Sequence, residues 1–436
     1  MWRPDVGEQQ GDLAGLHHFE DPTRPQSHGS LGHLPPNTGC SGHETLGCVD
    51  AATLRPRFPG VRDGWARFDG PAGTQMVDRA IEAMASWAAN GDNANSGGAF
   101  AAADATDALL ERARSRVAEL LGASASGIAF GANMTTLTLA FTRAVAATLR
   151  PGDRVVGTRL DHDANVTPWR LACEESGAEH VLAPFDPATG RLDPAAVTEL
   201  VDERTRWVAV TGASNLLGTI PDLAPIVAAA HDAGARVFVD AVHLAPHRAI
   251  DVRGIGCDVL VTSPYKWYGP HAGVLCADVA MLDELPVAKV RPAPDHGPRR
   301  WETGTPSFEA IAAIDAAAGF LLDLGIDRLA ASEAAVFSPL LDGLLAIDGV
   351  TVWGPPTLDA RTPTVAFTVD GHHPDAVASA LATERIATWS GHSYAVEAID
   401  QLGLSGSGGI VRAGVTAYVV PDDVQRLLRT VGHLAG

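Results

Sequence analysis

The chain has few of the features that would tie it to an oxidising compartment, a bilayer or a polyanion. Its 436 residues include only five cysteines, Cys40, Cys48, Cys173, Cys257 and Cys276, irregularly spaced. That spacing argues against a disulfide framework and fits a reducing compartment. No apolar run approaches the roughly 18 residues of a membrane span, and the opening MWRPDVGEQQ lacks the apolar centre of a signal peptide. A cytoplasmic location with no membrane partner is therefore expected. Positive charge is also scarce: 32 Lys and Arg face 52 Asp and Glu, a net charge of −20, which argues against nucleic acid or an anionic membrane as partner. Apolar residues, by contrast, make up 46% of the chain, enough for a large core over a length that suggests two or three domains.

Residues 1–48 are rich in Gly, Pro and His and show no apolar period, so they read as a disordered extension. Cys40, His43 and Cys48 match no zinc spacing, and no metal site is expected. From Val49 the chain is ordered in pattern. VDAATLRPRFPG suggests a short helix, and FDGPAGTQM at 68–76 suggests a strand entering a glycine-rich loop. Strands are expected near Ile128–Phe130, Arg154–Gly157, His180–Ala183, Trp207–Thr211, Arg236–Val239, Asp258–Thr262 and Gly273–Cys276, with helices between them. This alternation means an α/β fold with a mostly parallel seven-stranded sheet covered on both faces. Beyond about Pro292 two long helices and shorter strands suggest a smaller C-terminal α/β domain over 292–436, after a large domain over 49–291.

The chemistry centres on Val237–Gly269. VFVD and DVLVT read as buried parallel strands, and they deliver Asp240 and, 26 residues later, Lys266 to the loops that follow. In open α/β sheets ligands bind at that edge. One cofactor needs this pair of groups. Pyridoxal 5'-phosphate takes a lysine for its Schiff base and a carboxylate to keep its pyridine nitrogen protonated. Taken alone, an Asp after a strand and a Lys in a loop are more often a cap and a solvated charge.

The neighbouring motifs decide between these readings. DAVH at 240–243, SPYKWYGP at 263–270 and WETGTP at 301–306 together resemble the fold-type I enzymes of the class V aminotransferase and cysteine desulfurase group, from about Val49 to Gly436. In FGANMTTLTLAF, Thr135 and the Met134 backbone open a helix, and free N–H groups there suit an anion. The resemblance implies that they hold the cofactor phosphate together with Ser263. It also implies that Thr305 reaches the phosphate of a partner subunit, so a homodimer with shared sites is expected. LDHDANVTPW resembles a segment whose second histidine stacks on the cofactor ring, but Asp163 stands at that position. Either His162 takes that place or Asp163 acts as acid or base near the substrate carbon. By the same resemblance Asn215 in SNLLG and His243 approach the phenolic oxygen of the ring. Arg412 in GGIVRAGVTAYVV holds the substrate carboxylate, which suits its planar fork. Val419 and Val420 depart from the Asn-Thr of the pattern.

The resemblance therefore implies a lyase or transferase acting on a small α-amino acid or derivative, with Lys266 removing the Cα proton. Elimination or C–S cleavage is favoured, and aminotransferase, epimerase and carbon–carbon bond-forming chemistry stay open, as does a non-catalytic PLP-fold binding protein. WSGHSYAVE at 389–397 resembles a loop whose cysteine carries a persulfide. Aligned on Gly391 and His392, that cysteine falls on Tyr394, so Tyr394 is expected to act by hydrogen bonding or proton transfer, with His392 beside the substrate.

Overall fold

The structure is a computed structural model describing residues 49–436. The expected extension at 1–48, with Cys40, His43 and Cys48, lies outside the described residues. The strands are β1 Ala66–Arg67, β2 Ile128–Gly131, β3 Arg154–Thr158, β4 Glu179–Ala183, β5 Thr205–Thr211, β6 Arg236–Asp240, β7 Val259–Thr262, β8 Gly273–Ala277, β9 Val350–Trp353, β10 Thr364–Val369, β11 Ile386–Ala387, β12 Trp389–Gly391 and β13 Ile410–Gly414.

Seven of them form one sheet in the order β2-β8-β7-β6-β5-β3-β4, in which β8 alone runs against its neighbours. The apolar runs are continuous because both faces are buried. Val237, Val239 and Leu260 enter one core, while the alternate Phe238, Val259 and Val261 enter a second core with Trp169, Trp207 and Trp301. Helices fill the crossovers, so the parallel strands all end at one edge. No helix among the described residues is long and apolar enough to cross a membrane.

The smaller sheet is antiparallel, in the order β12-β13-β10-β9. Two placements differ from the sequence reading. The strand expected at 68–76 is only Ala66–Arg67, and it pairs in parallel with β11, so the residues after it form the loop. Helix Phe308–Leu324 follows Pro292, yet it packs on helices Asp78–Ala89 and Ala101–Leu121, where Asp315 pairs with Arg112 and Arg116 at 2.9 and 3.0 Å. Its apolar alanine-rich surface meets those helices rather than the smaller sheet.

Candidate active site

Five strands deliver side chains to the same edge. β2 runs into Asn133, whose Oδ1 accepts the Thr136 N–H at 2.8 Å and caps helix Met134–Ala146. The N–H groups of Met134 and Thr135 have no hydrogen-bond partner among the described residues. This is the arrangement in which a helix start receives an anion. The helix can begin there because Gly273 lies beneath it: a Cβ on Gly273 would stand 2.3 Å from the Asn133 carbonyl carbon. β3 leads to Asp161 and His162, β5 to Asn215, β6 to Asp240 and His243, and β7 to Ser263 and Lys266.

Met134, Thr135, His162, Asn215, Asp240, His243, Ser263 and Lys266 line one inner cavity. An outer cavity of about 760 Å³ adjoins it, sharing Thr135, His162, Asn215 and Lys266 and adding Asp163, His392, Tyr394 and Arg412. Of the residues singled out in the sequence, only Thr305 lies elsewhere. It is exposed and lines a separate cavity of about 580 Å³ with Thr136, His271 and Trp301.

Although the chain is strongly acidic, this site brings two basic side chains, Lys266 and Arg412, together near Asp240. Burial pushes the Asp240 carboxyl up to about 6, against the pull of the Val242 N–H, which donates to Oδ1 at 2.9 Å, and of Lys266. Burial drives the Lys266 amine down to about 7; the Arg412 guanidinium adds to the depression and Asp240 opposes it. The amine donates to the Pro71 carbonyl and sits 4.9 Å from the centre of the Tyr265 ring. Burial also lowers Arg412, to about 10, which leaves it a cation at neutral pH.

Three polar atoms of the cavity-lining residues are buried without a partner among the described residues: Arg412 Nε, Asn215 Oδ1 and Ser393 Oγ. Leaving such groups unmatched costs about 1–3 kcal/mol each. The other end of Arg412 donates to the Asn215 carbonyl at 2.8 Å. The Asn215 amide nitrogen donates to the Ser393 carbonyl at 2.8 Å, so its free atom is the acceptor rather than the donor expected from the sequence.

The structure separates His162 from Asp163. His162 lines both cavities, and burial together with the cations Lys266 and Arg412 lowers its imidazole to about 4. Its Nδ1 accepts the Ala164 N–H at 3.0 Å, which puts the proton of the neutral ring on Nε2. Asp163 lines only the outer cavity, and its Oδ1 accepts the Thr167 hydroxyl at 2.9 Å. The Tyr394 ring lies stacked on His162, with centroids 5.4 Å apart and 17° between planes. Ser393 and Tyr394 both have left-handed backbone, φ 49° and 59°. For residues with side chains this costs about 1–2 kcal/mol each, the kind of strain that accumulates at working sites. His243 is neutral, driven well below its ordinary value by burial and then by His247 and Lys266, and its Nε2 meets Thr364 Oγ1 at 2.9 Å.

The sequence reading did not single out Asp161 or Tyr265. Asp161 is buried, and its Oδ1 accepts the Asn165 amide at 2.7 Å. Burial raises its carboxyl to about 8; hydrogen bonds from Thr158 and Asn165 oppose the rise and Asp240 adds to it. The protonated form is thus favoured behind Asp240, which keeps two carboxylates from being charged together. Tyr265 stacks on His271 at 4.9 Å. Asp161 sits inside a motif quoted from the sequence, but a one-dimensional pattern carries no sign of its burial.

A parallel sheet whose strand ends gather a buried lysine, a buried aspartate and an unmatched helix start defines a pyridoxal-phosphate enzyme of the α/β type. The chain belongs to the class-V aminotransferase family, whose profile matches residues 67–427. It is similar to a cysteine desulfurase from Enterobacter sp. (strain 638), with 32% identity over 389 residues, 85% of this chain and 94% of the relative. Among solved structures it is similar to the cysteine desulfurase CsdA of Escherichia coli (26% identity, TM-score 0.79) and to that of Thermococcus onnurineus NA1 in its apo form (25%, 0.82). Each alignment covers 88% of this chain and 98% of the other. The protein is a pyridoxal 5'-phosphate-dependent lyase or transferase.

Proposed function

We propose that this enzyme binds a small α-amino acid or derivative and catalyses lyase chemistry at Cβ or Cγ, without passing on persulfide sulfur. The observation that carries the reading is the meeting of Lys266, Asp240 and Arg412 where the inner and outer cavities adjoin. When bound, the cofactor supplies an electron sink for the pair left at Cα as a substituent departs. The Met134 and Thr135 N–H groups, the Thr135 hydroxyl and Ser263 would hold its phosphate, and Asp240 would keep its ring nitrogen protonated. His162, His243 and Asn215, which line the same inner cavity, would contact its ring. Arg412 takes the substrate carboxylate through its guanidinium, which lines the outer cavity, and Lys266, with an amine near neutrality, removes and returns the Cα proton. Thr305, in its separate cavity, is assigned to the site of a partner subunit in a homodimer.

Sulfur relay requires an accessible thiolate. Among the described residues the cysteines are Cys173, Cys257 and Cys276; all three are buried, and burial pushes each thiol up to about 12. The resemblance of the loop at 389–397, aligned on Gly391 and His392, puts Tyr394 at the persulfide position, and a tyrosine cannot carry sulfur. Two measurements test this reading. Adding amino acids to the PLP-loaded protein should shift its absorption, and no shift with any of them would remove the amino-acid site. Mass spectrometry after incubation with cysteine should find no added sulfur on any cysteine; a sulfur adduct lost together with activity on replacing one cysteine would overturn the second half of the proposal.

A further inference from the structure

We propose that Asp163 reads the substrate side chain, and that the amino acid it selects carries a basic group at the end of an apolar stem. This rests on the reading of the cavity as an amino-acid site with Arg412 at the carboxylate. Asp163 is the one carboxylate lining the outer cavity, whose other charged groups are Lys266 and Arg412 and whose imidazoles are His162 and His392. In a chain with 52 acids and 32 bases, a cavity with one acid has its charges sorted: cations at the inner end, a single anion on the outer wall.

That anion is held in place but not satisfied. The Asp163 N–H donates to the Tyr394 carbonyl at 2.7 Å, and Oδ1 accepts from Thr167. Oδ2 has no hydrogen-bond partner and no ion pair among the described residues. A carboxylate fixed at two points with one free oxygen facing a cavity is an acceptor awaiting a donor, and a charged donor gives the strongest match. Around it Leu139, Pro168, Trp389 and Tyr394 supply apolar surface for a methylene stem. The same carboxylate repels an acidic side chain and so discriminates against aspartate and glutamate.

Lysine and norleucine share a four-carbon stem and differ in the terminal ammonium, which makes them the deciding probes. Titrating the PLP-loaded protein with each and following the cofactor absorption gives dissociation constants without relying on turnover. Lysine is expected to bind about tenfold or more tighter than norleucine, and glutamate more weakly than either. In Asp163→Asn, which keeps an acceptor for Thr167, the lysine-to-norleucine ratio should fall to near one; Asp163→Glu, which keeps the charge, should restore a preference for lysine. Equal affinities in the unmodified protein, or a lysine preference that survives Asp163→Asn, overturn the inference while leaving the amino-acid site standing. Absence of any shift, alanine included, removes that site and this inference with it.

Discussion

The floor of the site and its rim are built by different means. The floor hangs from strand ends, so Asp240 and Lys266 are 3% and 8% exposed, and the Pro71 carbonyl of the loop after β1 accepts from the Lys266 amine. The rim comes from the short stretch after β11, where Trp389 and Tyr394 are 55% and 66% exposed and two non-glycine residues are left-handed. A rigid buried floor fixes protonation states, because burial moves every titratable group within it. An exposed rim can change composition without disturbing the sheet. The floor carries the groups that suit cofactor chemistry, while the rim and the turn after β3, which holds Asp163, line the outer space left for substrate.

The sharpest way to break this division is to cut the floor. Lys266→Ala is expected to abolish turnover and the absorption of the lysine-linked cofactor, while PLP still binds through the helix start and Asp240. Normal turnover in that variant would mean that the floor is not where the chemistry occurs. Arg412 stands between the two regions. Arg412→Ala should raise KM for amino acids about 10- to 150-fold, the range of about 1.5–3 kcal/mol for a charged hydrogen bond, with the cofactor still attached. Unchanged KM would move the carboxylate anchor elsewhere.

A smaller and graded effect follows from the depressed lysine. Only the neutral amine attacks the cofactor aldehyde, and Lys266 loses its proton near pH 7 instead of near 10.5. The rate of PLP attachment to cofactor-free protein should therefore rise about tenfold per pH unit below 7 and flatten above it. If the rate instead kept rising to pH 10, the amine would have to be solvated, and the floor would not be dry.

The floor was largely legible in the sequence and the rim was not, for physical reasons. Strands buried on both faces write themselves as short apolar runs, so VFVD and DVLVT place Asp240 and Lys266 at one edge. Polar residues at strand ends carry no such mark: Asp161 follows β3 just as an ordinary capping residue does, and only the structure shows it buried behind Asp240. Helix Phe308–Leu324 has a clear period, but the period does not name its partner, and it packs on helices Asp78–Ala89 and Ala101–Leu121. At the rim the alignment on Gly391 and His392 located Tyr394, yet its stacking on His162 depends on two left-handed residues that no residue type announces.

Tyr394 supplies the finest test of the division, because its two chemical parts make different predictions. The ring is stacked on His162, whereas the hydroxyl has no partner among the described residues and the side chain is mostly exposed. If the rim works by packing, the ring matters and the oxygen does not. A stacked aromatic pair is worth about 0.5–1.5 kcal/mol, so Tyr394→Leu should lower kcat/KM by roughly 2- to 12-fold as His162 loses its support. Tyr394→Phe keeps the ring and should stay within about twofold of the parent enzyme. The sequence reading gave this residue hydrogen bonding or proton transfer, and a role for the hydroxyl makes the opposite forecast: Phe would lose as much as Leu, by about a hundredfold or more where the oxygen transfers a proton. Measuring kcat/KM for both variants across pH separates the two, since loss of a proton-transferring group also removes a limb of the pH profile, whereas loss of a stacking surface lowers the profile without changing its shape.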